Sequence, residues 1–212
     1  PVFSVPARCF AERAFLFGDA ARTFAGRLVR PARESYARRV RIRAGTSGFS
    51  YKEWKGSFYP DAIKGADMLG YYASRLSTVE INNTFYRMPK TTVLENWARQ
   101  VSDDFVFVIK APRLITHVQR LKDSDDAVQH LFDALAVLGP KRGPVLFQLP
   151  PFFQKDVDTL ARFVRALPRA SRAVFEFRHE SWHADDRDDV MAVLADAGAG
   201  WCVADTEEGS PP

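Results

Sequence analysis

Five apolar runs in this chain each end on polar side chains. They are Thr78-Val79-Glu80-Ile81-Asn82, Phe105 to Lys110, Val145 to Gln148-Leu149, Ala173 to Glu176-Phe177-Arg178, and Trp201 to Asp205. Glu80 and Glu176 are two carboxylates that serve as acid and base when their settings differ. Lys110 and Arg178 would hold them ionised or bind an anion, and His117 or His179 would carry the proton. Such a set suits a hydrolase or lyase acting on a sugar-like or phosphorylated small molecule. The same residues allow two other chemistries. Arg87, Lys110, Arg113, His117 and Arg178, with Tyr51, Trp54 and Trp182 for stacking, would make a non-catalytic site for a phosphate-bearing ligand or nucleic acid. Glu176, His179 and Asp205, with Glu80, would instead hold Mn²⁺, Mg²⁺ or Zn²⁺. Lys110 weighs against a metal, because it already brings positive charge to that place.

One pattern misleads. His179-Glu180-Ser181-Trp182-His183 matches H-E-x-x-H, which binds zinc only when both histidines sit one turn apart on a helix. Here the run directly follows a strand-like stretch and precedes the start of the next helix. It reads as a strand-end loop, so no metal is assigned to it.

The elements that must position these groups alternate along the chain. Strands are expected at Ile42–Thr46, Thr78–Asn82, Phe105–Lys110, Val145–Leu149, Ala173–Arg178 and Trp201–Asp205. Helices are expected near 64–76, 91–100, 124–138, 156–167 and 185–197. Asp123 and Ser124 are placed to cap the third, Asp156 caps the fourth, and Gly198 follows the fifth. Repeated βα units with short turns imply an α/β protein with a parallel sheet. Side-chain alternation then selects a topology. Val79 and Ile81 face one way while Glu80 and Asn82 face the other, and Gln148, Glu176 and Arg178 likewise oppose large apolar neighbours. A doubly wound sheet buries both faces and reads as continuous apolar runs. A TIM-barrel-like (β/α) repeat keeps its apolar face for the helices and its polar ends for the C-terminal mouth.

The turn after the first strand, Gly45-Thr46-Ser47-Gly48-Phe49-Ser50-Tyr51 followed by Trp54, combines small residues with aromatics. The small residues let a ligand approach the backbone. The aromatics form either a stacking wall or local core. The spacing matches neither a dinucleotide fingerprint nor a P-loop, so no cofactor is assigned.

Charge narrows the list of partners. The 212 residues carry a net charge of +4. Residues 1–40 hold eight arginines against three acids, and the remainder holds 22 basic and 23 acidic groups. The positive excess is therefore an N-terminal feature, and the near-neutral body argues against broad duplex binding. Within residues 1–40, Phe10, Ala14, Phe17, Ala21, Phe24 and Leu28 recur at helical spacing. That suits a targeting or membrane-surface helix, or an extension that is disordered or packs on the domain. The expected division is an Arg-rich extension, 1–40, and a barrel domain, 41–212. No run of about 18 apolar residues spans a membrane. Two cysteines, Cys9 and Cys202, make a reducing, cytoplasmic setting the expectation.

Five motifs appear in order: Gly-Thr-Ser-Gly at 45–48, Glu-Ile-Asn-Asn-Thr-Phe-Tyr-Arg at 80–87, Lys-Ala-Pro with Ile-Thr-His at 110–117, Phe-Gln-Leu-Pro-Pro at 147–151, and Glu-Phe-Arg-His with Ser-Trp at 176–182. Together they resemble the DUF72 (YecE-like) family of bacterial and archaeal proteins over about residues 42–206. The resemblance implies a TIM-barrel-like fold and brings no activity. Thr46, Ser47, Asn82, Tyr86, Arg87, Arg113, Gln148, Arg178 and Trp182 lie in or beside these motifs and, with Asp205 at the end of the sixth strand, join Tyr51 and Trp54 as ligand-binding candidates. Family members continue through two further strands, so six of eight barrel units are expected here.

Overall fold

The computed structural model describes residues 15–17, 41–169, 171–184 and 187–204. In chain order the elements are β1 (Phe15–Phe17), β2 (Arg41–Arg43), β3 (Gly45–Ser47), α1 (Met68–Ala73), β4 (Thr78–Ile81), α2 (Thr91–Gln100), β5 (Val106–Lys110), α3 (Asp125–Leu135), β6 (Arg142–Gln148), α4 (Val157–Ala166), β7 (Ala173–Glu176), α5 (Asp188–Asp196) and β8 (Gly200–Trp201). Strands β3 to β8 form one parallel sheet of six strands in strictly sequential order. No strand order reverses, so the described sheet lacks the switch point of a doubly wound fold. The sheet is also not closed among the described residues.

Register decides what shares a face. Ser47 pairs with Glu80, and Glu80 with Val108. Lys110 pairs with Leu146, and Gln148 with Glu176. Successive side chains alternate, so Ser47, Glu80, Lys110, Gln148 and Glu176 line one face at the C-terminal strand ends. On the opposite face Val79, Ile81, Phe107, Ile109, Val145, Phe147 and Phe175 join Leu69, Tyr72, Leu94, Leu131, Leu160, Phe163 and Leu194 from the helices in one core. Among the described residues the first face holds a small apolar cluster, Leu146, Val174 and Cys202, and the buried Val108.

Local chemistry sets the helix ends. Asp156 accepts a hydrogen bond from the Thr159 amide at 2.9 Å and starts α4, satisfying a donor that the first turn leaves open. Gly198 takes a φ of 63° just after α5, a conformation that costs glycine nothing. Ser124 stands at the start of α3 but makes no side-chain cap there.

Two expectations are corrected. The strand expected at Ile42–Thr46 is two strands that break at Ala44. Arg41–Arg43 pairs antiparallel with Phe15–Phe17, and Gly45–Ser47 pairs with Thr78–Glu80. A Cβ on Gly45 would lie 2.1 Å from the Thr78 carbonyl oxygen, so β3 lies against β4 only because this residue has no side chain. The helical face expected through Phe17 is not helical there, since Phe15–Phe17 is extended. The other residues of the Arg-rich extension lie outside the described residues.

Candidate functional site

Two polar clusters occupy the strand-end face. In the first, the Gln148 side-chain amide donates to both Glu176 carboxylate oxygens, at 2.8 and 2.9 Å, and Arg178 Nε donates to one of them at 2.9 Å. The Glu176 side chain is 1% exposed and that of Arg178 is 41% exposed. The carboxylate therefore anchors a guanidinium that still reaches solvent. In the second cluster, Ser47 Oγ donates to Glu80 Oε1 at 3.0 Å, and the Asn82 side-chain amide donates to Ser47 Oγ. The Asn82 amide oxygen is buried with no hydrogen-bond partner among the described residues. That leaves a buried acceptor unsatisfied among the described residues.

A third group forms on the loops after β4 and β5. Thr84 is fully buried, with its hydroxyl 2.8 Å from the Ile81 carbonyl and 2.6 Å from that of Lys110. It ties the turn after β4 to the end of β5. The Lys110 ammonium sits 4.9 Å from the centre of the Phe85 ring, a cation–π distance. Phe85 stands edge-on to His117, centroids 4.9 Å apart, and edge-on to Tyr86 at 5.0 Å. His117 lies in a single π-helical turn, Leu114–Val118, a distortion that concentrates at functional sites. Arg120, Leu121 and Asp123, just after it, have φ of 50°, 65° and 48°, strained values for residues that carry a Cβ.

His117 Nδ1 lies 2.9 Å from the hydroxyl of buried Thr116. Burial lowers the imidazole's pKa below the ordinary histidine value, and the charges of Arg113, Lys110 and Arg178 lower it further. Each of these causes disfavours a proton on the ring. The neutral form of the His117 ring is thereby favoured, and a neutral imidazole can accept a proton.

Other candidates are placed elsewhere. Trp182, expected to stack on a ligand, is fully buried; its indole N–H donates to the Phe153 carbonyl at 2.7 Å and its ring stacks on Phe177 at 4.4 Å. Trp54 is likewise core, against Tyr51, Phe58 and Tyr59. The Tyr51 hydroxyl donates to the Ser47 carbonyl. Thr46 faces the helices, where its amide donates to the Tyr72 hydroxyl at 2.8 Å. Arg87 and Arg113 are exposed, as is Tyr86. Asp205 lies outside the described residues.

The H-E-x-x-H run spans a short 3₁₀ turn, Glu180–Trp182. His179 Nδ1 accepts from the Ser181 amide at 3.1 Å, and His183 Nε2 lies 3.0 Å from the Phe177 carbonyl oxygen. The two rings serve separate local contacts. Among the described residues no group of three His, Cys, Asp or Glu side chains could hold a metal ion. Sequence reasoning missed Phe85 and Thr116 as parts of the site. Both stand inside quoted motifs, but neither residue type signals a role without its neighbours.

A family model described as Protein of unknown function DUF72 matches residues 43–212. The chain belongs to the DUF72 family. It is similar to UPF0759 protein YecE of Escherichia coli (strain K12), 34% identical over 121 residues, covering 57% of this chain and 44% of that protein. UPF0759 protein YunF of Bacillus subtilis (strain 168) is 31% identical over 134 residues, covering 59% and 48%. The chain thus spans about half the length of the curated relatives it matches. Among solved structures, a DUF72 family protein of Thermotoga maritima MSB8 has a TM-score of 0.64 at 30% identity, covering 74% of this chain and 62% of that one. A second, from Enterococcus faecalis V583, has a TM-score of 0.63 at 20% identity, covering 75% and 59%; at that identity it supports the fold alone. No helix among the described residues is long and apolar enough to cross a membrane.

Proposed function

We propose that this DUF72 sheet is an arc of a (β/α)₈ barrel whose strand ends form an acid/base site for a phosphorylated small molecule, with hydrolysis or elimination as the reaction. The observation that carries this reading is geometric: the Lys110 ammonium lies over the Phe85 ring at 4.9 Å, His117 stands edge-on to the same ring at 4.9 Å, and Glu176 holds Arg178 at a strand end of the same sheet; burial, then the charges of Arg113, Lys110 and Arg178, lower the His117 pKa. Three cations suit a phosphate group. A neutral imidazole beside them accepts a proton from water or substrate and returns it to the leaving group. Glu176 and Gln148 act as positioning residues that aim Arg178. The Asn82 amide oxygen offers an acceptor for a ligand hydroxyl, with Ser47 and Glu80 behind it. Residues 1–40 read as an extension, and a match that begins at residue 43 supports that division. Cys202 is a buried thiol, which suits a reducing, cytoplasmic setting.

Calorimetric titration with inorganic phosphate, alongside turnover of a panel of sugar phosphates, tests the reading. Arg178→Gln should weaken phosphate binding about tenfold or more, because a hydrogen bond to a charged group contributes roughly 1.5–3 kcal/mol. His117→Gln should keep phosphate affinity and lose turnover. If His117→Gln, Glu80→Gln and Glu176→Gln all match wild type in turnover, the acid/base reading fails and a binding site without chemistry replaces it. If phosphate does not bind wild type at all, the anion site itself is wrong.

A further inference from the structure

We propose that the ligand is a phosphate ester bearing a flat heteroaromatic ring, a nucleoside monophosphate in chemical class, and that the ring stacks on Tyr86. This rests on the reading of Lys110, Arg113 and Arg178 as the phosphate site. Tyr86 is 83% exposed. The other aromatics that the sequence offers for stacking are committed elsewhere: Trp54 and Trp182 are core, and Tyr51 packs on Trp54. Tyr86 is also linked through Phe85 to one of the cations, Lys110. It meets Phe85 at 5.0 Å and an interplanar angle of 87°, and Phe85 meets His117 at 4.9 Å and 82°. The Lys110 ammonium lies over that same Phe85 ring at 4.9 Å. Phe85 is therefore a spacer, occupied on its edges and by a cation, and Tyr86 is the open ring beyond it.

The order of the contacts matches the chemistry. Two successive ring contacts stand between the open platform and the imidazole, and in a nucleoside monophosphate a sugar stands between base and phosphate. The Thr84 hydroxyl, between the Ile81 and Lys110 carbonyls, fixes the platform's turn to the strand that carries Lys110. The turn that carries Tyr86 is thus ordered before a ligand arrives, which lowers the ordering cost of binding. Every nucleobase has a face that can stack on an aromatic ring, whereas a sugar phosphate has none.

Calorimetric titration of the 212-residue chain with inorganic phosphate, ribose 5-phosphate and adenosine 5′-monophosphate tests the proposal. Wild type should bind the nucleotide about tenfold tighter than ribose 5-phosphate. Tyr86→Ala should reduce nucleotide affinity to the ribose 5-phosphate level and leave inorganic phosphate unchanged. Tyr86→Phe should retain the wild-type preference. If phosphate binds but the nucleotide binds no tighter than ribose 5-phosphate, the ring proposal is overturned and the anion site stands. If none of the three binds, both readings fall. Equal loss of all three ligands in Tyr86→Ala would make Tyr86 a structural residue and also overturn the proposal.

Discussion

The two faces of the six-stranded sheet are built to different ends. Toward the helices, Phe107, Phe147, Phe175 and Phe177 form an aromatic core with Phe105, Phe163 and Trp182, nearly all of it out of contact with water. On the other face, the apolar cluster among the described residues is small, Leu146, Val174 and Cys202 beside the buried Val108, and the strand ends carry hydrogen-bonded charge. Hydrophobic stabilisation scales with apolar area removed from water. The helix face therefore holds the fold together. The strand-end face keeps polar groups that a tightly packed core would exclude, because burying them needs a partner for each.

The largest expected effect tests that division directly. Phe147, stacked on Phe175 at 5.3 Å and edge-on to Phe163 at 5.1 Å, should cost about 3–5 kcal/mol on change to Ala. Val174→Ala, on the other face, should cost about 1–2 kcal/mol, the value of two buried methyl groups. Urea unfolding of both variants measures the gap, and equal costs would break the comparison. Next, Glu176→Gln should lower stability by about 1–2 kcal/mol, since one oxygen that accepts from Arg178 is replaced by a donor. A cost near that of Phe147→Ala would mean that the polar face carries as much of the fold as the aromatic one.

Asp156→Ala removes the α4 cap and should cost about 1 kcal/mol, read from the same unfolding curves. Burial alone would raise the Asp156 pKa, but hydrogen bonds from Thr159 and the charge and hydrogen bond of Lys122 hold it below the ordinary carboxylate value. Its contribution is thus present above the unfolded value and lost as pH falls through the folded one. Asp156→Ala should flatten acid unfolding in that range.

The smallest effect belongs to the turn after β5. His117 has its pKa lowered in the folded state, by burial first and then by Arg113, Lys110 and Arg178. Between the folded and unfolded values the unfolded chain binds more protons, so stability rises with pH through that window. It is lost as pH falls below about 6.5, the ordinary histidine value. Unfolding at pH 5.5 and 7.5 should show this slope in wild type and a shallower one in His117→Gln.

Much of the site was legible in period-two alternation. Glu80, Lys110, Gln148 and Glu176 could be assigned to one face because a strand admits only two. The helices over 91–100 and 156–167 were legible for a similar reason, their apolar residues recurring at helical spacing with Asp156 at the start of the second. Trp54 and Trp182 were not legible as core. An aromatic residue in a loop motif reads the same whether its ring is covered or open, and only the packing of Phe153 and Phe177 on Trp182 decides it. The break at Ala44 was hidden as well, because its cause is the approach of β3 to β4 at Gly45, a contact across 33 residues of chain.

The amino-acid sequence by itself determined the βα repeat, the side of the sheet that Glu80, Lys110 and Glu176 occupy and, through its ordered motifs, the family. These follow from local periodicity and residue type, which the backbone reads within a few residues. Only the tertiary structure decided which groups meet: Glu176 with Gln148 and Arg178, Ser47 with Glu80 and Asn82, His117 with Phe85 and Thr116. Hydrogen bonds and desolvation act over a few ångströms in space. Their partners are set by strand register and loop packing, which join positions far apart along the chain.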